Sequence, residues 1–406
     1  MGKVEWSIRK ISRNITMIRI IDSETRFFEA LWEIPEMISY NSYFISTEEG
    51  GILIDTGPRD SYAFLEALDS VASPKDVSFL VVNHMEPDHS GALELLIERN
   101  RDIKIVSHPI SFHLMKSFYG ISPSSRLEIK DGGTLKVGKD ELRFFHVPWL
   151  HWPETIVTYL ESRRALFTGD VFGAYSIESE LLESEEIVRN EKYLWEMKKY
   201  FVNVIGAYRN NVVSAVRKLR ELNLNAEIVL PAHGAVFHGN GALESLLSIY
   251  EGWSLCGEKR EAIIALSSMY GFSEEVAKEV SEALEQFGVP SKIFRFTSKM
   301  RNNFSDAIAA MQDASLIVII SSTYENSPHP IIEYLVSLMG KKLCREKKIL
   351  LIGTYGWGGG TAASILFENL VKKGFKVPEP IMVNSKLTSW DKEKIHEVVA
   401  KLFLSS

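Results

Sequence analysis

Val82-Asn83-His84-Met85-Glu86-Pro87-Asp88-His89-Ser90-Gly91 is the stretch whose reading decides the fold. It continues Phe79-Leu80-Val81-Val82, an apolar run that predicts a buried strand. Pro87 and the Ser90-Gly91 pair then mark a turn, and Ala92 to Glu98 predicts the helix beyond it. His84, Glu86, Asp88 and His89 therefore fall in a strand-to-helix loop, where side chains can converge on one point. A single His after a strand is ordinarily structural. Two His and two carboxylates within six residues are not explained by packing, because carboxylates gathered there repel unless a cation sits among them. Metal binding outranks a merely solvated acidic loop.

The same device recurs along the first half. Strands are expected over Trp6 to Ile20, Ile38 to Ser46 and Gly51 to Asp55, with a helix over Tyr62 to Ser70 and a strand over Lys104 to Ser107. Leu142 to Val147 runs into Pro148-Trp149-Leu150-His151-Trp152-Pro153, and Thr155 to Leu160 pairs onward. Arg164 to Asp170 and Ala226 to Gly234 repeat one device, presenting Asp170 and His233 respectively. Each is an apolar strand whose last turn delivers a ligand-type residue, so loops at one sheet edge can supply all seven groups. Asp55 is read as holding the backbone or a ligand His rather than a metal. His108, His113, His146, His238, His329 and His396 lack that turn chemistry and are read as surface or satisfied-core residues, His146 being the closest to an exception. Trp149 and Trp152 are most simply core, with shielding of the site as the alternative.

At 406 residues, two domains are expected. A hydrophobic fraction of 45% and a charged fraction of 24% fit a globular protein. A net charge of −7 excludes a general nucleic-acid surface. No apolar run reaches membrane-spanning length and no signal-peptide segment is recognised, so no membrane partner is expected. Cys256 and Cys344 form no CxxC, which supports neither a disulfide framework nor a built-in rubredoxin or iron–sulfur module, and the expected compartment is the reducing cytoplasm.

Across roughly Met1 to Trp253 the pattern resembles the metallo-β-lactamase superfamily, an αββα sheet sandwich with helices outside. Hydrolases of that superfamily carry HxHxDH and commonly bind zinc. Here Glu86 stands where the second His is expected, adding negative charge and a hard oxygen donor, which favours iron.

After Glu251 to Glu258 the chain changes to regular strand–helix alternation. Strands are predicted over Glu261 to Ser267, Ile293 to Thr297, Leu316 to Ser321, Ile349 to Gly353 and Val377 to Val383. A helix over Ser273 to Phe287 takes Ser273 as N-cap, and Asp391 to Leu404 closes the chain. Five strands in this alternation predict a doubly wound parallel sheet. The loop Ser268-Met269-Tyr270-Gly271-Phe272-Ser273 places hydroxyls and backbone N–H groups at a helix N-terminus, an anion site without Lys or Arg. Ser322-Thr323-Tyr324-Glu325-Asn326 and Thr354-Tyr355-Gly356-Trp357-Gly358 follow the third and fourth strands and add aromatics that can cover a flat ring. These loops are similar to those of flavodoxins, which bind FMN. Phe272 and Glu325 depart from the Asn, Ser or Thr more usual there.

A lactamase-like domain (1–253) followed by a flavodoxin-like domain (259–406) resembles the flavodiiron proteins. That resemblance implies one iron on His84, Glu86 and His151, a second on Asp88, His89 and His233, and Asp170 bridging. It also implies reduction of dioxygen to water, of nitric oxide to nitrous oxide, or both, with FMN relaying electrons from a small rubredoxin-type donor. A head-to-tail homodimer, or a dimer of such dimers, is the implied assembly. A zinc hydrolase fused to a flavodoxin and a pure electron carrier are the competing readings.

Overall fold

The apolar alternation of the first half folds into two facing seven-stranded sheets, seen in a computed structural model that describes residues 5–59 and 62–404. One sheet runs in the order Glu5–Lys10, Ile15–Asp22, Ile38–Thr47, Gly50–Ile54, Val77–Val81, Lys104–Ser107 and Arg126–Glu128. The stretch read as one run from Trp6 to Ile20 is a hairpin, with Glu5 opposite Ile21 and Lys10 opposite Thr16. The polar break at Ser12-Arg13-Asn14 reverses the chain. The other sheet runs Thr134–Val137, Asp140–His146, Ile156–Leu160, Ala165–Gly169, Ile228–Pro231, Val236–His238 and Leu181–Glu183.

Inward side chains of both sheets form one core. Ile15, Tyr43, Ile54 and Val81 of the first meet Leu142, Phe144, Phe167 and Leu230 of the second, all essentially without solvent contact. Each fully buried Leu, Ile or Phe contributes roughly 1.5–3 kcal/mol relative to its exposed state. Asp140–His146 and Ala165–Gly169 both lie antiparallel to Ile156–Leu160, and Ile228–Pro231 runs parallel to Ala165–Gly169. The carboxyl ends of these three strands therefore share one edge. That is the edge from which the chain delivers His151, Asp170 and His233.

The chain divides into two compact units, Met1–Leu255 and Cys256–Ser406. Helix Ala242–Ser254 runs through the first half of the expected linker, so only residues 255–258 separate it from the strand Lys259–Ser268. In the second unit the sheet order is Ser291–Thr297, Lys259–Ser268, Ala314–Tyr324, Lys348–Tyr355 and Ile381–Asn384, all parallel. A two-residue strand, Ser327–Pro328, folds back antiparallel on Ala314–Tyr324, so the sheet has six strands rather than the expected five. The third strand overruns its predicted end at Ser321 because Glu325 and Asn326 take up the left-handed conformation and close a tight hairpin.

A disulfide joins Cys256 to Cys344 across 88 residues, with Cα atoms 6.3 Å apart. This corrects the expectation drawn from their spacing. Cys256 precedes Lys259–Ser268 and Cys344 precedes Lys348–Tyr355, and only Ala314–Tyr324 lies between these strands. The parallel sheet brings together positions that sequence distance keeps apart. No helix among the described residues is long and apolar enough to cross a membrane.

Candidate metal centre and flavin cavity

The opening motif is anchored to both sheets before it presents a ligand. The Asn83 N–H donates to Asp55 Oδ1 at 2.7 Å, while Asn83 Oδ1 accepts from the Thr158 hydroxyl at 2.6 Å. Asp55 thus holds the backbone, one of its two expected roles. Burial pushes its carboxyl up to about 6, against the opposing pull of His89 and the Asn83 N–H. Beyond Glu86 the chain makes a single helical turn, Pro87–Ser90, so Asp88 and His89 sit on helix rather than in open loop. Gly91 is obligatory there: a Cβ would lie 2.1 Å from the Arg59 nitrogen and 2.3 Å from the Pro87 carbonyl.

The Asp170 and His233 turns are tied to each other by the Ala232 N–H, which donates to the Gly169 carbonyl at 2.8 Å. The seven predicted residues converge into two adjoining groups: His84, Glu86, His151 and Asp170, and Asp88, His89 and His233. In the first, Glu86 Oε2 lies 3.1 Å from His84 Nε2 and 2.9 Å from His151 Nε2. In the second, Asp88 lies 3.4 Å from His89 Nε2 and 3.5 Å from His233 Nε2. Asp170 faces both. Its Oδ2 is 3.4 and 3.3 Å from His84 and His151, and its Oδ1 is 2.9 and 3.2 Å from His89 and His233.

Metal bonds of about 2.0–2.2 Å meeting near 90–110° place donor atoms about 3.0–3.5 Å apart. The observed spacings match that pattern. Both Asp88 oxygens, His89 Nε2, His233 Nε2 and Asp170 Oδ2 are buried without a hydrogen-bond partner. So many orphaned donor-type atoms around one point fit two metal ions. Burial disfavours charged imidazoles, yet the carboxylates outweigh it. Glu154 and Glu86 lift His84 to about 10, and Asp170 with Asp88 lifts His233 to about 10. His89 and His151 rise to about 9 by the same competition. Against burial, the surrounding histidines hold the Asp170 and Glu86 carboxyls well below their usual range. Protons stand in this cluster for metal charge.

The second unit carries one cavity at the carboxyl ends of its strands. Ser268, Met269, Tyr270, Phe272 and Ser273 line it from the first loop, Ser322 and Thr323 from the third strand, and Thr354, Tyr355, Gly356 and Trp357 from the fourth. Gly271 caps helix Phe272–Glu285 at φ +97° and makes no side-chain cap. This corrects the assignment of Ser273 as cap, since its hydroxyl turns instead to Thr354 Oγ1 at 2.8 Å. The amides at the start of the helix are left without a capping side chain, as a phosphate needs. Tyr270 and Trp357 are largely exposed beside the cavity, flat faces available to a ring system. The residues fit a flavin phosphate and ring.

Residues 38–234 match the sequence profile described as ODP family beta lactamase. A nitric oxide reductase of Moorella thermoacetica is 26% identical over 361 residues, 89% of this chain and 88% of that protein. The rubredoxin oxygen:oxidoreductase structure from Desulfovibrio gigas is 25% identical over 98% of each chain, with a TM-score of 0.91. A mutant of the flavo di-iron protein from Thermotoga maritima is 32% identical over 100% of each chain, with a TM-score of 0.90. The chain belongs to the flavodiiron family.

Several features of this flavodiiron chain escaped the sequence. Glu154 Oε1 accepts from His84 Nδ1 at 2.8 Å, Tyr200 donates to Asp170 Oδ1 at 2.8 Å, and the Ser39 carbonyl accepts from His233 Nδ1 at 2.9 Å. Only Glu154, three residues beyond His151, carried a local signal. Ser385, after the fifth strand, also lines this cavity and was missed because that strand extends past Val383 to Asn384. Gly271, Tyr324, Glu325, Asn326 and Gly358 do not line this cavity; Tyr324, Glu325 and Asn326 form the hairpin at the end of the third strand, and Asn326 Oδ1 stands against Gly358. Trp149 is exposed and stacked on Tyr208 at 5.5 Å, contrary to the core reading, because its φ of +66° throws it outward. Trp152 packs edge-on against the His84 ring at 5.0 Å, on the wall of the metal site. His146 is satisfied by the Pro153 carbonyl at 2.7 Å.

Proposed function

We propose that this flavodiiron chain is an oxidoreductase reducing dioxygen to water, nitric oxide to nitrous oxide, or both. The observation that carries the reading is Asp170, whose two oxygens face two separate sets of histidines. In this reading His84, Glu86 and His151 hold one iron, Asp88, His89 and His233 hold the other, and Asp170 bridges them. The unit Met1–Leu255 is the diiron domain and Cys256–Ser406 the FMN domain.

When bound, two ferrous ions and one reduced FMN supply four electrons, enough for one dioxygen. The chain's own residues set the conditions for that chemistry. Glu86 and Asp88 add anionic oxygen donors that favour ferric charge. Trp152 walls the histidines against water. Tyr200 donates to Asp170 Oδ1 and would hold that carboxylate between the two sets of histidines. Ser268, Ser273 and Thr354 offer hydroxyls beside the helix amides for the FMN phosphate, and Trp357 and Tyr270 offer faces to its ring.

The donor is a small rubredoxin-type protein, following the name of the Desulfovibrio gigas relative. The assembly is a head-to-tail homodimer, in which one chain's FMN serves its partner's irons; the short connection over residues 255–258 supports exchange between chains. Iron and FMN analysis followed by parallel turnover with dioxygen and nitric oxide tests the function. Two irons and one FMN per chain without consumption of either gas would sink it. Hybrids of His84→Ala chains with Trp357-substituted, FMN-free chains should regain part of the activity if electrons cross between chains.

A further inference from the structure

We infer that Glu154 makes the two iron positions electronically unequal, holding the position on His84, Glu86 and His151 more strongly ferric than the one on Asp88, His89 and His233. The inference rests on the diiron reading of the site and concerns the residues behind it.

His84 turns Nε2 towards Glu86 and Asp170, so its Nδ1 carries the hydrogen donated to Glu154 Oε1 at 2.8 Å. The Met85 N–H donates to the same oxygen at 3.1 Å, which fixes the carboxylate against the motif. Glu154 is 0% exposed, its Oε2 has no hydrogen-bond partner, and its Oε1 is aimed at His84 and the Met85 amide. On the other side, His233 Nδ1 donates to the neutral Ser39 carbonyl at 2.9 Å. A carboxylate behind an imidazole raises its basicity and its strength as a metal donor more than a neutral carbonyl does.

The bridge leans the same way. Tyr200 donates to Asp170 Oδ1, the oxygen facing His89 and His233, and withdraws electron density from it. Oδ2, facing His84 and His151, has no hydrogen-bond partner and keeps its full donor strength. Two independent contacts therefore enrich one position and deplete the other. With iron bound, the position on Asp88, His89 and His233 would be the more easily reduced of the two, and the position on His84, Glu86 and His151 would accept its electron at the lower potential. Glu154 is a positioning residue that acts through His84.

Glu154→Gln keeps the shape and the acceptor for both N–H groups and removes only the charge. Anaerobic potentiometric titration of the iron-loaded protein, with Mössbauer spectra of the half-reduced state, reads the effect. The lower of the two one-electron potentials should rise by the equivalent of at least tenfold in the ferric–ferrous equilibrium, ~59 mV, while the upper one moves less. Tyr200→Phe, which leaves Glu154 in place, should lower the upper potential and close the gap from the other side. Glu154→Ala should weaken iron binding at one position of two by ~10–100-fold. Wild-type protein that does not bind two irons overturns the diiron reading and this inference with it. Two irons in every variant, with both potentials unmoved in Glu154→Gln and Tyr200→Phe, overturns the inference alone.

Discussion

Asp55 and Asn83 stand 28 residues apart, and the Asn83 N–H meets Asp55 Oδ1 at 2.7 Å where the strand Val77–Val81 ends. The contact lies on the sequence-to-packing link, and loss of the acceptor would leave a buried amide unpaired. Asp55→Ala should destabilise the first unit by about 1–3 kcal/mol, with loss of iron from the motif that follows. Asp55→Asn, which restores an oxygen acceptor, should recover most of that in a urea titration. Equal stability of the two variants would show that the contact does not anchor the motif.

Asp170→Ala should empty both metal positions, because one carboxylate serves each, whereas His151→Ala should chiefly weaken one. Iron analysis after exhaustive dialysis checks both. A full complement in Asp170→Ala is the result that removes the bridge. His89→Asn should keep more iron than Asp170→Ala, since water can replace a terminal imidazole.

The raised histidines give a pH dependence with a definite sign. In the metal-free fold His84, His89, His151 and His233 hold protons to about 9–10, above their unfolded value of about 6.5. Their stabilising contribution is fully present below pH ~6.5 and fades as pH rises through 9–10. Metal-free protein should therefore lose stability over that window, while iron-loaded protein should not. Ferrous iron must also displace these protons near neutrality, so calorimetry in buffers of different ionisation heat should record proton release.

Gly91→Ala forces a Cβ into backbone on two sides. The expected cost is about 3 kcal/mol, at the upper end of ordinary overpacking, with the helical turn Pro87–Ser90 displaced. A thermal midpoint and iron content like wild type would contradict this reading of the turn.

Most of the site was legible because its signal is local. His84, Glu86, Asp88 and His89 lie within six residues, and His151, Asp170 and His233 each follow a strand end that hydrophobic patterning marks. Tyr200 and Ser39 were illegible, since one lies inside a helix and the other contributes only a backbone carbonyl. The Cys256–Cys344 bond was hidden for a related reason: parallel sheet order, not sequence distance, brings the two together.

That bond closes an 88-residue loop, a constraint on the unfolded chain worth roughly 4–5 kcal/mol in the loop-entropy account. Cys344→Ser, or a strong dithiol, should lower the unfolding midpoint of the second unit and leave the iron content of the first unchanged. An unshifted midpoint with the thiols confirmed free by alkylation would contradict it.

The shared carboxylate of Asp170 has one more consequence, for how the site fills. An ion held at one position would draw on the same carboxylate that the second needs and repel that second cation across a few ångströms, so the first arrival makes the next harder. Loading is then stepwise. A chain offered half its iron should include molecules that carry one ion each, and native mass spectrometry would see three species instead of two.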